Sequence, residues 1–225
     1  MVTERISIPI EGGMINSTLH APRDANTIVL ISHPPGIGRF NQRNRLLMEQ
    51  LDQAGLASLL CDWSQIKMVL EKQGDFNPLK MAQSLAFIIR WLKSQRTFKD
   101  FSTALYGSGT GAAFSVIAAS EMDESVKAIV SRNGRLELAE DYLNKVKTPT
   151  LVAVGEKDYR LFELNKKAYK KLECPKQFVM MPGITPFFEV PKKMEHMGRL
   201  SIDWIKKNSM TQSDSSSEKK MILHS

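Results

Sequence analysis

Short apolar runs alternate with amphipathic stretches along this chain, the pattern of a largely parallel sheet covered by helices. Ile6 to Pro9 and Asn16 to His20 flank Glu11-Gly12-Gly13, a hairpin signal. Thr27 to Ser32 is a continuous apolar run of the fully buried strand type, ending at His33-Pro34-Pro35-Gly36. A helix from about Gln42 to Ala54 stops at Gly55, and Leu56 to Cys61 reads as the next strand. Pro78 opens a helix over Leu79 to Ser94 from the favoured first-turn position. Strands are then expected at Thr103 to Tyr106, Lys127 to Val130, Thr150 to Val154 and Gln177 to Met181. Between and after them, helical patterns run over Thr110 to Ser120, Leu136 to Val146, Leu161 to Leu172 and Pro191 to Lys207. These units form a single domain over residues 1–208. From Ser209 the chain is polar and low in complexity, which predicts a disordered tail over residues 209–225.

Composition narrows the class without choosing a function. With 225 residues, 42% hydrophobic and 24% charged, the chain suits one α/β domain with a sizeable core. The formal net charge of +7 permits anionic partners. The main basic cluster, Lys166, Lys167, Lys170, Lys171 and Lys176, mostly falls at helical spacing and reads as a solvated face. No aromatic-interleaved basic stripe argues for nucleic acid, and no apolar run approaches the ~20 residues of a membrane span. Cys61 and Cys174 form neither a disulfide framework nor a metal spacing, so a reducing cytoplasm is the expected compartment and no metal or cofactor is implied.

The candidate chemistry lies at Tyr106-Gly107-Ser108-Gly109-Thr110-Gly111. In a Gly-x-Ser-x-Gly elbow the middle residue carries the attacking hydroxyl on a sharp strand-to-helix turn. Here the outer glycines are Gly107 and Gly111, and the middle residue is Gly109, which has no side chain. The same residues also fit a loosely spaced dinucleotide fingerprint through Gly107, Gly109 and Ala112, a possible phosphate turn. Against that, the turn lies mid-chain, and the next strand ends in Ser131-Arg132 where a ribose-binding acid would stand.

Further blocks occur in a fixed order around this turn. They are His33-Pro34-Pro35-Gly36-Ile37-Gly38-Arg39 with Arg43-Asn44-Arg45, Ala54-Gly55-Leu56 through Asp62, and Ser131-Arg132-Asn133-Gly134-Arg135. Pro149-Thr150-Leu151, Val154-Gly155-Glu156-Lys157-Asp158, Glu163-Leu164-Asn165 and Pro182-Gly183 through Glu189 follow. In register over about residues 1–207, the chain resembles the α/β-hydrolase fold and, within it, small lidless dienelactone-hydrolase-like proteins. The resemblance implies a mostly parallel central sheet with an N-terminal antiparallel hairpin, helices on both faces and no lid domain.

Carried over residue by residue, the resemblance puts the nucleophile at Gly109, the base at Pro186 and the acid at Asp158. Glycine cannot attack and proline cannot take a proton, so only the acid is retained. Thr110 can still offer one oxyanion-hole amide, while Pro34 and Pro35, in the loop that supplies the second, have no amide hydrogen. This combination predicts a non-catalytic protein binding a small ligand or a protein partner. Its pocket would be lined by Pro34, Pro35, Ile37, Arg39, Ser108, Gly109, Thr110, Asp158, Tyr159, Pro186 and Phe187, with Arg39 as the anionic contact. The rival reading is a hydrolase of esters or lactones working through Ser108 or His33. A weaker alternative is nucleotide-phosphate binding at the Gly107–Gly111 turn. For Ser108, His33 and Asp62 the simpler roles are a turn residue pointing off the site, a structural histidine and a satisfier of loop amides. The oligomeric state is not legible.

Overall fold

The fold is taken from a computed structural model, which describes residues 2–10, 13–34, 41–65, 77–122, 125–183 and 191–209. Strands β1 (Val2–Ile10) and β2 (Gly13–Ala21) form the hairpin, paired antiparallel from Val2↔Ala21 to Ile10↔Gly13. Then come β3 (Thr27–Ser32), helix α1 (Gln42–Gln53), β4 (Ala57–Cys61), α2 (Pro78–Ser94), β5 (Ser102–Ser108) and α3 (Thr110–Glu121). The chain continues through β6 (Val126–Arg132), β7 (Thr150–Gly155), α4 (Tyr159–Lys171), β8 (Lys176–Met181) and α5 (Pro191–Ser209). The sheet has the order β1-β2-β4-β3-β5-β6-β7-β8; β1/β2 and β2/β4 are antiparallel, and every other pair is parallel.

Side-chain alternation divides the interior into two layers. In β3, Ile28 and Leu30 join one core with Leu59, Leu105, Phe114 and Ile117, while Val29 and Ile31 join the other with Leu51, Leu60, Val130 and Ile205. All six residues of β3 are buried, which is why its sequence is apolar without alternation. Helix α3 is buried from Gly111 to Ala119, wedged between α2 and a 3-10 segment, Leu136–Lys145. Phe114 packs edge-to-face on Trp63 at 5.0 Å, both fully buried. Replacing either by alanine would cost about 3–5 kcal/mol.

Local signals start and stop the helices. The Asn77 side chain accepts hydrogen bonds from the amides of Leu79 and Lys80 ahead of α2, and Asn41 accepts one from Asn44 ahead of α1. The helical stretch expected over Leu136 to Val146 is present as a 3-10 segment ending at Lys145, with non-helical backbone at Ala139. One boundary needs correction. Ser209 is the last residue of α5, where it accepts a hydrogen bond from Ser102 Oγ on its carbonyl; residues 210–225 lie outside those described. Among the described residues no helix is long and apolar enough to cross a membrane.

Candidate functional site

Loops at the carboxyl ends of parallel strands are where open α/β sheets bind ligands. Both β5 and β7 end at this edge, with β6 between them. The chain leaves β5 through Gly109, at φ 54° and ψ −128°, and enters α3 one residue later. That backbone is the strained strand-to-helix turn of a nucleophile elbow. Its tightness requires a glycine at 111, where a Cβ would lie 2.4 Å from the Ser32 carbonyl oxygen. At Gly109 itself a Cβ would meet one group, the ring of Pro34, with Cγ at 2.8 Å. Pro34 and Gly109 are therefore in direct steric register.

The block Ser131–Arg135 holds this turn from the other side. The Gly109 amide donates to the Arg132 carbonyl at 3.4 Å, and the Arg135 amide donates to the Gly109 carbonyl at 2.9 Å. Asn133 has a left-handed backbone, φ 44°, and its side-chain Oδ1 accepts from the Gly155 amide at 2.8 Å. Its own amide donates to the Ala153 carbonyl at 2.8 Å. A single loop thus braces the elbow against the end of β7. In the sequence this block stands only as part of the family resemblance; Asn133-Gly134, a common turn signal, marks a turn there without showing its partners.

His33 follows β3 and is 2% exposed. Its Nδ1 donates to the Pro34 carbonyl at 3.0 Å. Burial lowers its pKa below 6.5, with the Arg132 charge acting in the same direction and Asp62 opposing. Asp62 receives both the amide and the hydroxyl of Ser64 on Oδ1, at 3.2 and 2.5 Å. Arg132 is itself buried and sits 5.8 Å over the Tyr106 ring. Ser108, the last residue of β5, pairs in register with Arg132 and is 7% exposed. Thr110 opens α3 and is half-buried. Burial pushes the Cys61 thiol up to about 12, which makes it a packing residue.

Asp158 lies in the turn after β7 and caps α4, accepting the Leu161 amide on Oδ1 at 2.9 Å. Beside it, Tyr159 is 75% exposed. Glu156 in the same turn accepts the Gly183 amide at 2.7 Å, tying it to the end of β8. Of the expected lining, Pro34 and Gly109 meet directly; Ser108 and Thr110 flank them, and Asp158 and Tyr159 stand at the end of β7. Pro35, Ile37, Arg39, Pro186 and Phe187 lie outside the described residues. Among the described residues no group of three His, Cys, Asp or Glu could hold a metal ion.

No family model matches the chain. Two Mycobacterium tuberculosis proteins, each provisionally named a phosphoribosyl transferase, are 34% identical over 186 residues. That stretch is 83% of this chain but 42% of theirs, so the chain spans less than half the length of these relatives. A dienelactone hydrolase from Anabaena variabilis is 30% identical with a TM-score of 0.87, covering 93% of this chain and 99% of that one. A lidless α/β serine hydrolase from Xanthomonas campestris superposes at 0.74 with 16% identity, covering 93% and 96%. An α/β serine hydrolase homologue from Coxiella burnetii superposes at 0.73 with 20% identity, covering 90% and 97%. The last two show the fold alone. By its fold, and by its identity to a dienelactone hydrolase along almost its whole length, this chain belongs to the dienelactone-hydrolase family of α/β-hydrolases.

Proposed function

We propose that this protein is a non-catalytic member of its family that keeps the elbow for its shape and binds a small ligand or a protein partner at the carboxyl edge of the sheet. The observation that carries this reading is the 2.8 Å approach of Pro34 Cγ to the position a Cβ would take on Gly109. A serine at 109 would begin with that clash, so the ring of Pro34 and the absent side chain fit one another. The loss is not confined to one position. Residue 186, at the base position, is a proline, and Pro34 has no amide hydrogen for an oxyanion. Losing a nucleophile or a base alone typically removes a factor of about 10⁶ in rate. Asp158, the retained acid, has a reason to persist without catalysis, because it caps α4.

The other readings gain less support. Ser108 and His33 are 7% and 2% exposed, and His33 is committed to a backbone carbonyl. A phosphate cradle at the turn would need the Gly109 amide, which points to the Arg132 carbonyl. The transferase name of the mycobacterial relatives belongs to proteins more than twice the length of the matched stretch. A serine-directed fluorophosphonate probe separates the proposals. The binder leaves the protein unlabelled, whereas stoichiometric labelling at Ser108 would make it an enzyme.

A further inference from the structure

A cavity that neither Pro34 nor Gly109 lines lies between the 3-10 segment and the start of α4. It measures about 350 Å³, within the range of small-molecule sites, and is lined by Arg135, Glu137, Asp158, Arg160, Leu161 and Leu164. Each of its two carboxylates has one oxygen engaged, Glu137 Oε1 by Nε of Arg135 and Asp158 Oδ1 by the Leu161 amide, while Glu137 Oε2 is buried without a partner among the described residues. Its two guanidinium groups are not saturated. Arg135 uses only Nε, and Arg160 makes no hydrogen bond or ion pair among the described residues. The first turn of α4, where Arg160 sits, adds the positive end of a helix dipole. Leu161 and Leu164 provide an apolar wall. The Arg135 amide is bonded to the Gly109 carbonyl, so one side of the cavity is fixed to the elbow.

We propose that this cavity is a binding site for a small organic oxyanion, a carboxylate or a phosphate ester, held by the guanidinium forks of Arg135 and Arg160 with its apolar part against Leu161 and Leu164. Planar guanidinium matches both oxyanions through paired N–H···O bonds. The site stands whether or not the elbow is catalytic, since of the residues expected around the elbow only Asp158 lines it.

Calorimetric titration of the full chain with butyrate and with inorganic phosphate, at constant ionic strength balanced with chloride, tests this. Saturable binding of at least one anion is expected, and the arm that binds identifies the oxyanion class. Arg135→Gln and Arg160→Gln should each weaken it about tenfold or more, with an unchanged thermal melt for Arg160→Gln, whose side chain is exposed and outside the Arg135–Glu137 pair. Lys167→Gln, an exposed lysine on the same helix but outside the cavity lining, should leave the affinity within twofold. Absence of saturation by either anion, or equal weakening by Lys167→Gln and Arg160→Gln, would overturn the proposal.

Discussion

The turn after β5 and the turn after β7 end parallel strands at the same edge of one sheet, yet they have kept opposite things. At the β5 turn the backbone is fully specified: φ 54° at Gly109, contacts from Ser32 and Pro34, and hydrogen bonds from the Ser131–Arg135 block. The residue at its centre has no side chain. At the β7 turn a carboxylate is present, Asp158, and it caps α4. On the proposed reading, shape and chemistry are held by different atoms: backbone contacts preserve the first, and the carboxylate at the second turn has a structural task of its own.

The largest test of this contrast is Gly111→Ala, which would press a methyl group against the backbone of Ser32 and cost about 3 kcal/mol in denaturant unfolding. Gly109→Ala should cost less, about 1–3 kcal/mol, from its left-handed backbone and from the Pro34 ring. In a double-mutant cycle, Pro34→Ala should recover about 1 kcal/mol of that loss. Additive costs would mean that the ring does not fill the elbow.

At the other turn, Asp158→Ala should lower stability by about 1 kcal/mol, while Asp158→Asn, still a good cap, stays near wild type. A large loss in the asparagine variant would show that the carboxylate does more than cap. The smallest effect concerns His33, whose pKa in the fold lies below the 6.5 of the unfolded chain. Above 6.5 both states are neutral and its contribution is intact. As pH falls below 6.5 the unfolded chain binds the proton first, so stability declines toward the folded pKa. Chemical denaturation between pH 7.5 and 5 should show a shallower decline for His33→Gln. An unchanged slope would place the acid sensitivity elsewhere.

Much of the scaffold was legible because its interior strands are buried on both faces. The apolar runs at β3, β4 and β7 are wholly buried in the structure. Leu136, Leu138 and Leu143 mark a helical stretch, but ten residues cannot separate a period of 3.0 from 3.6, so its 3-10 form is not legible. The elbow was visible through the spacing of its glycines. Its fit to Pro34 was not, since a sequence shows that proline lacks an amide hydrogen but not which residue its ring will meet. Asn133 was equally hidden, because its role comes from a positive φ and a partner 22 residues away. The cavity arginines gave no periodic signal either; Arg135 and Arg160 converge only through tertiary packing.

If the elbow survives as shape without chemistry, the protein should turn over none of the substrates of its fold relatives. Purified protein and its Asp158→Asn variant would be assayed side by side with small activated esters and lactones. The account predicts that both match the rate in buffer alone. Turnover above that background, lost in Asp158→Asn while the fold is retained, would contradict it.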